Sequence, residues 1–335
     1  MELGARKQKI VAAVVDAYIR TGEPVGSKAL AEMLNNTVSS ATVRNDMADL
    51  AAAGYLAQPH TSAGRIPTAA AFRLYVDGLR PSLSEDEERA IDEVLFPVSG
   101  DPERLLMRAS ELLAEATGMA VAVATPDQRT SHVSRVELLM TGSRSAAVLL
   151  MTDTGALRSR VCRLDGGGDV IELQQLAARL NETFVGKRLS DIGVVPMQAL
   201  LGDGGLRYLS VLTAFLELAQ ETAAAEIRLS GQLNLLQHPD IPMERARSLL
   251  TFLSQSELLA GMLSAHAGGL RVVLGSESPR RELEGSTLIV TRYGAGGSGG
   301  SLCLIGPMRM DYAQAIPCLQ HVAHTVSVLL SGGGF

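Results

Sequence analysis

The stretch SSATVRNDMADLAAAG, Ser39 to Gly54, decides how this chain is read. Ser39 or Ser40 can cap a helix by accepting from an unpaired backbone N–H, and Gly54 suits a left-handed position just past its end. Between them Val43, Met47 and Leu50 recur at i, i+4 and i+7 as one apolar stripe. Thr42, Arg44, Asn45 and Asp49 fall off that stripe, so Arg44 and Asn45 stand on an exposed face near the helix start. Arginine pairs bidentately with guanine and asparagine with adenine in the major groove, which is the chemistry of a recognition helix. Any surface helix can carry those two residues, and it is the flanks that make the reading specific.

Upstream, Ile10, Val14, Tyr18 and Ile19 form one face of a helix ending near Thr21-Gly22, with Pro24 beyond it. Ser27 is placed to cap a short second helix with Leu30, Ala31 and Leu34 inward, and Asn35 to Val38 leave only a tight turn before Ser39. Helix, short helix, turn and capped helix is the helix-turn-helix order. Downstream, Tyr55-Leu56-Ala57-Gln58 reads as a short strand. Pro59, Gly64 and Pro67 bracket a loop carrying His60, Thr61, Ser62 and Arg65. Strand, loop and strand after the third helix make a wing whose Arg65 can reach a phosphate or the minor groove. Thr68 is placed to cap a further helix with Phe72, Tyr75, Val76 and Leu79 inward.

The segments VDAYIRTGEPVGSKAL (15–30), SSATVRNDMADL (39–50), GYLAQPHTSAGRIPT (54–68) and FRLYVDGL (72–79) resemble the start of the heat-inducible transcription repressor HrcA family. IGPMRMDY (305–312) resembles that family's C-terminal signature. GKRLSDI (186–192), NLLQHPD (234–240) and LGSE (274–277) resemble its weaker central landmarks. The likeness is dense over the first 80 residues and sparse beyond. Ala51-Ala52 and Ala71 depart from it, where the family tends to acidic residues and to glycine, and neither departure touches the expected DNA face.

The net charge of −6 over 335 residues divides unevenly. Residues 1–80 hold nine Lys+Arg against seven Asp+Glu, and the remainder holds 21 against 29. The basic excess therefore sits with the helix-turn-helix, and at +2 it leaves the electrostatic work to local placement. At 46% apolar and 20% charged the chain can bury sizeable cores in two or three domains. Cys162, Cys303 and Cys318 are odd in number and lack metal-ligand spacing, so free thiols in a reducing compartment are expected. The apolar run IVAAVV (10–15) is too short for a signal peptide, and no segment approaches the ~20 apolar residues of a membrane span. A cytoplasmic protein is expected.

Pro81 to Glu88 reads as a linker running into a helix start, and Leu105, Leu106, Leu112 and Leu113 as a helix ending at Gly118. Strand-like runs follow at 119–125, 133–140, 146–152 and 157–164. Helical patterns then take over, Val170 to Val185 and Leu206 to Leu229, the second with Leu209, Leu212, Phe215, Leu216 and Ala219 on one stripe. Strands return at 271–277, 287–293 and 301–306, and a closing helix runs from about Tyr312 to Leu330. Strands, a helical interlude and strands again indicate an α+β domain with a helical insertion.

The resemblance supplies names for these parts. It implies an α+β multidomain chain: a winged helix-turn-helix over 1–80, a linker over 81–102, a GAF-like α+β domain over 103–164 and 241–335, and an inserted, mainly helical dimerisation domain over 165–240.

Enzyme signals fail on context. Gly294 to Gly299 matches G-x-G-x-x-G after a strand, and the same run spells G-x-S-x-G around Ser298. Both motifs require a helix next, whereas SLCLIG is another strand. His321 and His324 sit three apart without a carboxylate or thiol at matching spacing, so no metal is expected. No catalytic residue and no cofactor is assigned.

The expected DNA-binding residues are Thr42, Arg44 and Asn45 at base edges, Ser40 at a phosphate or base, Arg65 and His60 on the wing, and Lys28 at a phosphate. The resemblance implies a homodimer that represses chaperone operons through an inverted repeat in double-stranded DNA, and a chaperonin partner whose titration by heat-unfolded clients lowers active repressor. The alternative is a repressor gated by a small metabolite in the GAF-like domain.

Overall fold

The computed structural model describes residues 3–60, 63–126, 128–193, 208–264, 269–294 and 299–332. The chain forms two compact units, one of Met1–Ala124, Ile227–Ala295 and Ser301–Phe335, the other of Thr125–Glu226 with Gly296–Gly300.

The first unit opens with α1 (Ala5–Thr21), α2 (Ser27–Met33) and α3 (Ser40–Ala52). A two-stranded wing follows, β1 (Leu56–Ala57) against β2 (Ile66–Pro67), and then α4 (Ala69–Gly78). This is the winged helix-turn-helix expected from the spacing. Gly26, not Ser27, stands at the cap of α2, and Ser27 is its first helical residue.

Residues 81–102, expected as a linker, carry α5 (Glu85–Leu95). Ser84 and Glu87 close a capping box over its first turn, which is how the acidic run 85–88 becomes a helix. Ile91 and Leu95 bury against the same core as the helices around them, and Asp92 accepts from Thr325 Oγ1 at 2.8 Å. The segment is a packed helix because its apolar residues recur at helical spacing behind the charges.

Next come α6 (Pro102–Thr117) and β3 (Ala120–Ala124). After the second unit the chain returns through β7 (Ile227–Ser230), α9 (Gln232–Gln237), α10 (Met243–Leu253) and α11 (Ser256–Ser264). It closes with β8 (Arg271–Leu274), β9 (Ser286–Tyr293), β10 (Gly300–Pro307) and α12 (Tyr312–Leu330). The five strands order as β7-β3-β10-β9-β8, with β3 antiparallel to both its neighbours. Alternation along β3 sends Val121 and Val123 to the core shared with α6 and α12. Ala120, Ala122 and Ala124 join Phe252, Leu253 and Leu259 of α10 and α11. Both faces are covered, which is why β3 and the centres of β9 (Leu288–Val290) and β10 (Leu302–Ile305) read as continuous apolar runs.

The second unit is a three-stranded meander, β4 (Val133–Gly142), β5 (Ser145–Thr152) and β6 (Leu157–Arg163), joined by α7 (Val170–Phe184) and α8 (Leu209–Ala223). Val136, Leu138, Val148 and Leu150 bury against Leu180, Phe184, Leu212 and Phe215. Asn181 of α7 satisfies the open edge of β4, donating to Val136 O at 2.7 Å and accepting from Val136 N at 2.9 Å.

The insertion expected at 165–240 therefore lies at Thr125–Glu226. Strands β4–β6 pair only with one another among the described residues, and β7 pairs with β3 instead of continuing a helix to Leu229.

Candidate nucleic-acid interface

Helix α3 begins as its sequence dictates. Ser39 is the cap and its Oγ accepts from Thr42 N at 3.2 Å, while the two hydroxyls lie 2.9 Å apart. The Thr42 hydroxyl is thus drawn into the cap, and Ser40 stands exposed on the first turn. Gly54 takes φ +82° beyond the helix end.

The stripe of Val43, Met47 and Leu50 is buried, and Asp46 is buried with it at 4% exposure. A lone carboxylate there would lose its hydration, so it needs a partner. Arg6 of α1 supplies one in a fork, Nε to Oδ2 at 2.9 Å and Nη2 to Oδ1 at 3.0 Å. Hydrogen bonding to Asp46 raises the Arg6 pKa above its ordinary value, which keeps that charge fixed. One turn on, Lys7 Nζ reaches Asp49 at 2.8 Å. Arg6 thereby fastens the buried face of α3 and Lys7 its exposed flank, and together they cancel its two carboxylates. Neither Arg6 nor Lys7 stood out in the sequence; the available signal was a carboxylate on the apolar stripe itself.

The opposite face is open. Arg44 and Asn45 are exposed and make no hydrogen bond or ion pair with the described residues. Lys28, the second residue of α2, is likewise exposed and unpaired among them.

The wing is fastened at its base. Arg65 N donates to Val25 O at 2.9 Å and Val25 N donates to Arg65 O at 2.8 Å, tying the wing to the segment before α2. The chains approach closely at Gly64, where a Cβ would stand 2.5 Å from the Val25 carbonyl oxygen, so only glycine fits. The Arg65 guanidinium donates to Gln58 across the wing, a brace the sequence did not reveal. His60 is exposed at the loop, and Thr61 and Ser62 lie outside the described residues. Thr68, expected to cap α4, donates its hydroxyl back to Gly54 O at 2.7 Å and Tyr55 O at 3.0 Å.

The scattered landmarks of the sequence meet behind this reading head. Arg309 forks onto Asp240, at 2.8 and 2.6 Å, and donates to Ile19 O at 2.9 Å at the C-terminal end of α1. Arg73 of α4 forks onto Glu277 and donates to Val272 O at 2.8 Å, so the Glu277 carboxyl lies below its usual range. The ring of Tyr312 packs against Phe72 and Tyr75 at 6.3 and 6.5 Å between centroids. Burial, and then Asp16, pushes the Tyr75 phenol up to about 12. GKRLSDI belongs to the second unit, where Gly186 N donates to Val133 O at 2.9 Å.

The remaining chemistry is structural. His321 Nε2 lies 3.0 Å from Asp92, and no group of three metal-ligating side chains occurs among the described residues. The three cysteines are free, and burial pushes the Cys318 thiol up to about 11. Gly294–Gly299 lies partly outside the described residues, and β9 before it leads to strand β10, not to a helix. No described helix is long and apolar enough to cross a membrane.

Residues 2–76 match the family described as the winged helix-turn-helix transcription repressor, HrcA DNA-binding, and residues 103–316 match the HrcA protein C-terminal domain. The heat-inducible transcription repressor HrcA of Desulforudis audaxviator is 33% identical over 98% of both chains. That of Geobacter sulfurreducens is 33% identical over 99% of both. A crystal structure described only as a hypothetical protein covers 99% of both chains at 26% identity, with a TM-score of 0.64. Head and body alike, this chain belongs to the HrcA family.

Proposed function

We propose that the protein is a transcription repressor that binds an inverted-repeat operator in double-stranded DNA as a homodimer. The observation that carries this is the exposed, unpaired Arg44 and Asn45 on a helix whose buried face is fastened to α1 by Arg6 and whose flank is held by Lys7. A rigid helix presenting a guanidinium and an amide suits direct reading of base edges. Lys28 and Ser40 stand beside it as phosphate contacts, with His60 at the wing and Arg65 bracing it. Relatives 33% identical carry the name heat-inducible transcription repressor, which favours chaperone operons as the target.

A two-fold dimer matches a palindromic site. The sheet of the inserted unit supports a second copy. Leu139, Met151, Leu157 and Val161 are 52%, 40%, 55% and 66% exposed on one face, where Ala147 sits opposite both Leu139 and Val161. The helical stripe Leu212, Phe215 and Ala219 is spent inside the unit. The five-stranded sheet packed on α6 and α12 supports reading the body as the GAF-like domain. Chaperonin titration fits a protein whose reading head shares its core with the body, because a small loss of stability then removes both together.

A gel shift of the full-length protein on the inverted repeat of a chaperone operon tests this reading, with a scrambled repeat as control. Selective retention of the repeat by a dimer is the expected result, and equal affinity for both sequences contradicts it. Refolding with and without chaperonin, read as recovered operator binding, tests the heat response; equal recovery removes the chaperonin from the account.

A further inference from the structure

A cleft of about 700 Å³ opens between the end of α4 and strand β8, within the first unit. Its volume falls in the range of small-molecule sites. The floor is apolar, from Val76, Leu79, Val272 and Ile316. Its walls carry three guanidiniums, Arg73, Arg80 and Arg271, against two carboxylates, Asp77 and Glu277.

The charges do not cancel. Arg73 is consumed by Glu277, the Val272 carbonyl and Asp77. Arg80 spends one nitrogen on the carbonyls of Asp77 and Leu79 at the end of α4 and leaves its others exposed. Arg271 is exposed, makes no hydrogen bond to a described residue, and adds only a through-space attraction to Glu277. Three guanidiniums therefore face two carboxylates, and the one positive charge in excess is what an entering anion relieves. Guanidiniums favour carboxylate and phosphate oxygens, and the apolar floor favours a hydrocarbon or aromatic stem. Gln320 adds an amide at the rim.

The geometry points to a binding site for a small amphipathic anion, one acidic group on an apolar stem, gripped by Arg80 and Arg271. Its walls come from α4 of the reading head and from β8 and α12 of the body. A ligand there favours the docked arrangement of the two over any arrangement that opens the cleft. This inference stands independently of the operator.

Titration of the full-length native protein with 8-anilinonaphthalene-1-sulfonate, followed by fluorescence, tests it. The expected result is a saturable site that the double variant R80E/R271E weakens at least tenfold. The variant R163E, on the exposed face of the inserted sheet, leaves it unchanged, and the uncharged analogue N-phenyl-1-naphthylamine binds at least tenfold more weakly. Urea unfolding confirms that each variant is folded; if R80E/R271E is not, R80Q/R271Q takes its place with a loss of the same sense. Wild-type dye affinity in the folded arginine variant, equal binding of the neutral analogue, or an equal loss in R163E overturns the site. Operator binding measured on the same samples without dye separates failure of the cleft from failure of the repressor reading.

Discussion

Replacing Arg309 with methionine removes the charge while keeping most of the side-chain volume. The guanidinium is 19% exposed and its partner Asp240 26% exposed, so the pair lies between the surface and buried regimes. Exposed pairs contribute about 0–1 kcal/mol, and breaking a fully buried one costs about 3–5 kcal/mol. Arg309 also donates to Ile19 O at 2.9 Å, a charge-assisted bond at the negative end of the α1 dipole. The expected loss is about 2–4 kcal/mol.

Much of that loss is the stranded Asp240 carboxylate. D240N alone should therefore also destabilise, and R309M/D240N should lose less than the two single losses together, by about 1 kcal/mol or more. Urea unfolding followed by tyrosine fluorescence reads this directly. The chain has no tryptophan, and of its six tyrosines only Tyr208 lies outside the first unit. The slope m should stay constant while the midpoint falls. A loss in R309M below about 0.5 kcal/mol, or strict additivity in the double variant, would show that Arg309 does not join α1 to the body.

R44A should cost about 1–3 kcal/mol of operator binding and relax specificity at one position of each half-site, whereas K28A should weaken all sequences alike and lower the salt slope by about one; quantitative gel shifts across a salt series separate the two. The Glu277 carboxyl is lowered by Arg73, so its contribution is complete above the usual glutamate value and is lost as pH falls through its depressed value. Stability measured between pH 6 and pH 3 should accordingly fall below about pH 4.3, and E277Q should flatten that part of the profile. V161D places a charge on the exposed sheet face of the inserted unit and should yield a folded monomer by light scattering, with operator binding weakened and single half-site binding retained.

The reading head was legible because its signals are local. Val43, Met47 and Leu50 fix the buried side of α3, and what remains, Arg44 and Asn45, faces outward by elimination. The fastening of α3 was not legible, since Arg6 and Asp46 lie forty positions apart and only the fold brings them together. Strands β3 to β6 and β8 to β10 were found, but β4 to β6 were grouped in one α+β domain with the others, whereas they form a sheet of their own. Period-two alternation identifies a strand without saying which neighbour it pairs with. The distinction lay in a second-order feature: β3, β9 and β10 are buried at nearly every position, as strands covered on both faces are. Strands β4 to β6 alternate and keep one face open. The helix expected to run to Leu229 overran because Ala223, Ala224 and Ala225 favour helix locally, while pairing with β3 turns Ile227–Ser230 into a strand.

The same core couples the stability of the winged helix-turn-helix to that of the body. Ile10, Val14, Leu50 and Phe72 of the head belong to one continuous apolar cluster with Leu105, Leu113, Leu319 and Val322 of the body. Arg309, through Ile19 O, and Arg73, through Glu277, stitch that boundary with charge-assisted bonds. A tethered head would keep reading DNA after its body melted, because its stability would be its own. A head that buries Phe72 against Tyr312 has no such independence. Loss of order in α12 uncovers Phe72 of α4, and loss of the turn before it costs α1, which holds Asp46 and Asp49 in register, the Arg309 contact to its C-terminal end. The placement of Arg44 and Asn45 is thus conditional on the packing of α4 against the start of α12. A net stability of about 5–15 kcal/mol is small enough for a modest rise in temperature to erode it.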